Sequence, residues 1–127
     1  MPDAASEAHA ARPEFIVTRM FDAIDRSDWS SFGRIFCDDV TYNRPGYAEI
    51  HGLDFLISFY RNERIIASGR HDLERVIVGE SGDIASWGRF AGVTRQGSSV
   101  EEMFSEVYCV ANGKIRTRRT FFYRPAV

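Results

Sequence analysis

The stretch DRSDWSSFGRIFCDDVTYNRPG, Asp25 to Gly46, decides the fold. Ser27-Asp28 breaks one helix and offers a cap to the next, after which Trp29, Phe32, Ile35 and Phe36 recur at spacings of three and four. A short helix therefore ends before Asp38-Asp39. Val40-Thr41-Tyr42-Asn43-Arg44 then has the β-branched and aromatic composition of a strand, and Pro45-Gly46 stops it.

Upstream, Phe15, Ile16, Arg19, Met20, Ala23 and Ile24 line one mostly apolar face, with Pro13 suited to a first helical turn. This predicts a helix from Pro13 to Arg26. Residues 1–12 carry no periodic stripe and read as a mobile tail, so the domain spans 13–127.

Downstream, Tyr47 to His51 reads as a brief extended piece. Gly52 introduces a helical pattern from Leu53 to about Ala67, with Leu53, Leu56, Phe59 and Tyr60 inward and Arg61, Asn62 and Glu63 outward. Leu73–Val78, Ile84–Thr94, Val100–Val110 and Ile115–Tyr123 then read as strands separated by GESGD, RQGSS and ANGK. Asn112-Gly113 is the strongest hairpin signal, a type I′ turn. The expected architecture is α+β, with three N-terminal helices on one face of a curved antiparallel sheet.

The 127 residues suffice for one core, and ten phenylalanines favour a core or pocket built from rings. Formal net charge is −2 without a basic stripe, which argues against nucleic acid as a partner. Fifteen of the sixteen basic residues are arginine, so any internal cation is a guanidinium, suited to planar oxygen groups. Cys37 and Cys109 sit in apolar surroundings with no metal-like spacing and read as buried, reduced thiols. No signal-type or membrane-length apolar run occurs, so the expectation is a cytoplasmic protein without a membrane partner, metal or cofactor.

Pairing Val110 with Ile115 across the last turn places Glu106 opposite Arg119, Ser105 opposite Thr120 and Val107 opposite Arg118. One face then collects Trp87, Arg89, Ala91, Met103, Ser105, Val107, Arg118, Thr120 and Phe122. The other collects Phe90, Phe104, Glu106, Tyr108, Arg119, Phe121 and Tyr123. Neither is polar enough to be simply wet, which predicts helices over one and a second subunit over the other, a homodimer.

The order of elements resembles the nuclear transport factor 2-like superfamily, with its ketosteroid isomerases, SnoaL-like polyketide cyclases and limonene epoxide hydrolases. The features that carry the likeness are Asp28-Trp29, Phe36 before the acidic pair, the Pro-Gly stop, Gly52 and NGKI (Asn112–Ile115). Against the isomerases, Met20 stands where the resemblance implies an oxyanion-binding tyrosine, and Arg44 where it implies the carboxylate base. A guanidinium cannot abstract a carbon-bound proton. Against the epoxide hydrolases, Tyr42 matches a water-binding tyrosine and Arg89 the arginine of an Asp-Arg-Asp set, but Ala91 and Thr120 replace the aspartates. SnoaL-like cyclases use an Asp/His pair; His71 is the candidate histidine, and no aspartate is assigned beside it.

These readings lead to a cofactor-free isomerase, cyclase or dehydratase acting on a hydrophobic, polyketide-like small molecule. His71 moves the proton, while Tyr42, Arg44 and Arg89 stabilise an enolate. Met20, Phe59, Trp87, Met103, Ser105, Arg118, Thr120 and Phe122 line the pocket. Two alternatives stay open: a non-catalytic carrier of the same fold, and an epoxide hydrolase or cyclase.

Overall fold

The computed structural model describes residues 12–124; the expected tail, Arg12 apart, lies outside them. Helix α1 (Glu14–Asp25) buries Ile16, Val17, Met20, Phe21, Ala23 and Ile24, the stripe its periodicity predicts. Ser27 ends it in the left-handed region at φ 55°, and the Asp28 amide reaches back to the Ala23 carbonyl at 2.8 Å. Asp28 does not cap the next helix with its side chain. Its carboxylate instead accepts from Ser30 Oγ at 2.6 Å, which holds its pKa below the ordinary value.

One 3₁₀ turn (Trp29–Ser31) leads into α2 (Phe32–Ile35), and β1 (Phe36–Asn43) follows without a loop. The strand starts four residues before the expected Val40, because Phe36 is already extended. β2 (Ile50–His51) precedes α3 (Leu53–Ser58), which widens into a π turn over Phe59–Glu63. The third helix is thus shorter than expected. Arg64 is extended at φ −67° and ψ 148°, and the β-branched Ile65-Ile66 pair enters β3 (Ile66–Val78) seven residues before Leu73.

β4 (Ile84–Thr94), β5 (Ser99–Ala111) and β6 (Lys114–Phe122) complete a curved, unclosed six-stranded sheet in the order β2-β1-β6-β5-β4-β3. Among the described residues two α-helices precede the first strand and the third follows β2, the order the periodicity predicts. The sheet is mixed rather than antiparallel, since β1 runs parallel to β6. Opposite Leu73, where β3 bulges, Gly88 is required: a Cβ there would run into the Asp72 carbonyl.

The last hairpin turns at Asn112-Gly113 with φ 52° and 76°, as a type I′ turn demands. Val110 pairs with Ile115, but the next pair is Cys109 with Thr117, so Arg116 is an extra residue. That bulge shifts the rest of β6 by one residue and turns its side chains to the opposite face. Glu106 therefore faces Thr120 rather than Arg119, and Val107 faces Arg119 rather than Arg118.

The consequence decides the site. Arg118, Thr120 and Phe122 join Phe90, Phe104, Glu106 and Tyr108 beneath the helices. Trp87, Arg89, Ala91, Met103, Ser105 and Val107 lie on the opposite face. Cys109 is on that face too and is exposed, not buried; Cys37 is half-buried, and both thiols are free.

Candidate active site

Under the helices the sheet carries an unusual polar centre. Glu106, 2% exposed, receives Arg118 in a two-pronged ion pair, Nε to Oε1 at 2.9 Å and Nη2 to Oε2 at 2.8 Å. Tyr108 donates to Oε1 at 2.6 Å and Thr120 to Oε2 at 2.5 Å. Four donors thus occupy the lone-pair positions of one carboxylate. Burial raises its pKa, but the Arg118 charge and these hydrogen bonds more than offset that, and the net shift is downward.

The network runs outward by donor logic. Since Thr120 gives its proton to Glu106, Tyr42 must donate to Thr120 Oγ1, at 2.8 Å. Since Tyr108 gives its proton to Glu106, Ser86 donates to the Tyr108 hydroxyl, also at 2.8 Å. Burial pushes both phenols well above their ordinary pKa, so each stays a neutral donor. Arg118 Nη1 donates to the Tyr60 hydroxyl at 2.5 Å, which leaves the Tyr60 proton for another acceptor. The Arg118 guanidinium also lies 4.2 Å over the Tyr42 ring.

The second polar unit is a dyad. Asp25, in the last turn of α1, accepts the His71 backbone N–H at 2.8 Å through Oδ2 and His71 Nδ1 at 2.6 Å through Oδ1. With Nδ1–H donating to the carboxylate, Nε2 keeps the lone pair. The ring is clamped between Phe21 at 4.4 Å, Phe90 at 4.7 Å and Phe104 at 5.5 Å. Both side chains are mostly buried.

His71 and the Glu106 network meet at one cavity of about 30 Å³, lined also by Arg44, Tyr60, Arg64, Arg118, Thr120 and Phe122. As it stands this holds about one water. A larger guest requires ring side chains such as Phe122, which is only half-buried, to move. Arg44 places its guanidinium 5.4–5.5 Å from the Tyr47, Phe59 and Phe122 rings. Larger hollows of about 480 and about 570 Å³ lie on the outer face of the sheet, and another of about 470 Å³ is lined by Tyr47, Phe55 and Phe59.

Of the expected catalytic set, the cavity brings His71 and Arg44 together. Tyr42 is beside them, but its proton is committed to Thr120. Arg89 is excluded: it is exposed on the outer face and pairs with Glu74 at 3.4 Å. Of the expected lining, Arg118, Thr120 and Phe122 are present, and Met20 and Phe59 are core residues. Trp87, Met103 and Ser105 share one face as expected, but the helices cover the other, to which the bulge turns Arg118, Thr120 and Phe122. Among the described residues no group of three or more metal-ligating side chains comes together, and no helix is long and apolar enough to cross a membrane.

Sequence reading missed Asp25, Glu106's role and Arg64. Asp25 left a signal, a negative charge in the last turn of a helix, where the macrodipole disfavours it. Glu106 left another, since it alternates with Phe104 and Tyr108 on a buried strand face. Arg64 left none, because only the π turn brings it inside.

Comparison with known proteins agrees with this architecture. The sequence pattern of the SnoaL-like domain matches residues 17–118, and the chain belongs to that family. No curated protein matches it. Among solved structures it is similar to a nuclear transport factor 2-like protein of unknown function from Burkholderia pseudomallei, with TM-score 0.78 and 23% identity over 87% of this chain and 89% of that one. An LEH-like epoxide hydrolase from M. tuberculosis gives 0.75 and 18% over 87% and 77%. SalBIII, an epoxide hydrolase/cyclase-like enzyme in pyran ring formation in the polyether salinomycin, gives 0.76 and 16% over 87% and 89%. At these identities the likeness is one of fold.

Proposed function

We propose that this chain catalyses proton transfer on a carbonyl-bearing hydrophobic small molecule, in an isomerisation, ring closure or dehydration carried by its own side chains. The observation behind this is that His71, held by Asp25, lines the same cavity as Arg44 and Tyr60. His71 Nε2 takes a proton from the carbon beside the carbonyl, and Asp25 stabilises the imidazolium that forms. Arg44 and the Tyr60 hydroxyl meet the negative oxygen that develops. Tyr42 and Arg118 hold this frame rather than touch substrate.

Epoxide opening needs a carboxylate with a free lone pair to activate water. Glu106 has none to spare, as all four of its acceptor positions are used. The polyether neighbour supports a secondary-metabolite substrate.

The test is protein-dependent deuterium exchange at the carbon between the two carbonyls of methyl acetoacetate, followed by proton NMR. Wild type is expected to accelerate exchange over buffer and His71→Asn to remove the acceleration. Equal rates for the two proteins would overturn the assignment.

The outer face supports a homodimer. Met103, Val107, Phe121 and Tyr123 are all exposed there, and a cluster of large apolar side chains on one face suits a protein–protein contact. Light scattering on the eluting protein is expected to give twice the chain mass, and Phe121→Glu to give a single chain. A wild-type monomer at micromolar concentration would remove this proposal.

A further inference from the structure

We propose that Arg64 is a binding subsite for a carboxylate of the substrate, so that the guest is a keto or hydroxy acid held by its acid end while His71 works on another carbon. This rests on the reading that the cavity is where substrate sits.

Arg64 is 6% exposed and lines the cavity. Its Nε–H meets no acceptor, and among the described residues no carboxylate lies within ion-pair distance of it. A buried guanidinium N–H left this way is costly unless an acceptor answers it. The contrast with Arg118 is instructive. There the fold supplies Glu106 on two prongs and the Tyr60 hydroxyl besides. Arg64 receives only a ring, that of Tyr60, 5.0 Å from its guanidinium carbon.

The backbone that carries it is pinned. Its carbonyl accepts from Arg95 Nε at 2.7 Å, and the next carbonyl, of Ile65, accepts the Arg95 amide at 2.8 Å. Burial pulls the Arg64 pKa down and the nearby Arg44 charge adds to this, so a negative guest relieves both. Guanidinium presents parallel N–H groups that match a planar carboxylate in a bidentate contact. The small cavity favours that compact group over a tetrahedral phosphate carrying a substituent.

The probes are acetoacetate and methyl acetoacetate, which differ in the charge of one end, titrated into the protein at constant ionic strength with binding read from backbone amide NMR shifts. Wild type is expected to bind the acid about tenfold or more tightly over the ester, the ratio that a charge-assisted hydrogen bond confers. Arg64→Met should lose that preference while binding the ester as wild type does, and Arg64→Lys should keep part of it. Acid binding no tighter than ester binding in wild type, absence of binding included, overturns the proposal without any variant. Retained discrimination in a folded Arg64→Met overturns it as well. His71→Asn separates the two readings, since it should keep the acid preference while losing exchange.

Discussion

Glu106→Gln is expected to destabilise the fold by about 3–5 kcal/mol, the cost of leaving a buried guanidinium without its counter-charge. Every contact to Glu106 is a donor: Arg118 twice, Tyr108 and Thr120. An amide offers one oxygen and one NH₂, so at least two donors then face a donor. Urea unfolding should show the loss, with the thermal midpoint falling on the order of 10–20 °C. Glu106→Gln combined with Arg118→Met is expected to recover part of it. Recovery is incomplete because Tyr108, Thr120 and Tyr60 lose partners that satisfied them. A single-variant cost below about 1 kcal/mol would show that the ion pair does not organise the interior.

The same pair fixes a pH dependence. The folded Glu106 pKa lies below the ordinary carboxylate value, so its contribution is complete above about pH 4.3, the ordinary glutamate value, and is lost as pH falls through the folded one. Wild type should therefore lose stability steeply in that acid window. Glu106→Gln should lose less across it.

Element order was legible in the sequence because periodicity and turn chemistry are local. The α1 stripe, the Pro-Gly stop and the Asn112-Gly113 turn each follow from residues within one turn or strand. The site was legible only in halves. His71 could be singled out by side-chain chemistry, but Asp25 lies 46 residues away, and nothing local says that the end of α1 packs on β3. Arg89 was misplaced for a different reason. A bulge of one residue at Arg116 has no signature in KIRTRRT, yet it decides which face of β6 meets the helices. The expected arginine-lined hollow exists, but with Arg64 in the place given to Arg89.

Asp25→Asn is expected to lower exchange activity about 10²–10⁴-fold, nearly as much as His71→Asn, although it leaves the imidazole in place. Asp25 accepts two hydrogen bonds from one residue, the His71 amide through Oδ2 and Nδ1 through Oδ1. Asparagine keeps one acceptor. The backbone N–H can only donate, so the amide oxygen must stay with it, and the NH₂ then faces Nδ1. Nδ1 is forced to accept, the ring proton moves to Nε2, and the atom that should take the substrate's proton no longer has a lone pair. Phe21, Phe90 and Phe104 still clamp the ring, so the change is one of tautomer and not of position. Ring ¹⁵N shifts of His71 check this independently of turnover: wild type should show a protonated Nδ1, and Asp25→Asn a protonated Nε2. Full activity in a variant with the switched tautomer would mean that His71 is not the base, and the cavity's chemistry would then have to be sought at Tyr60.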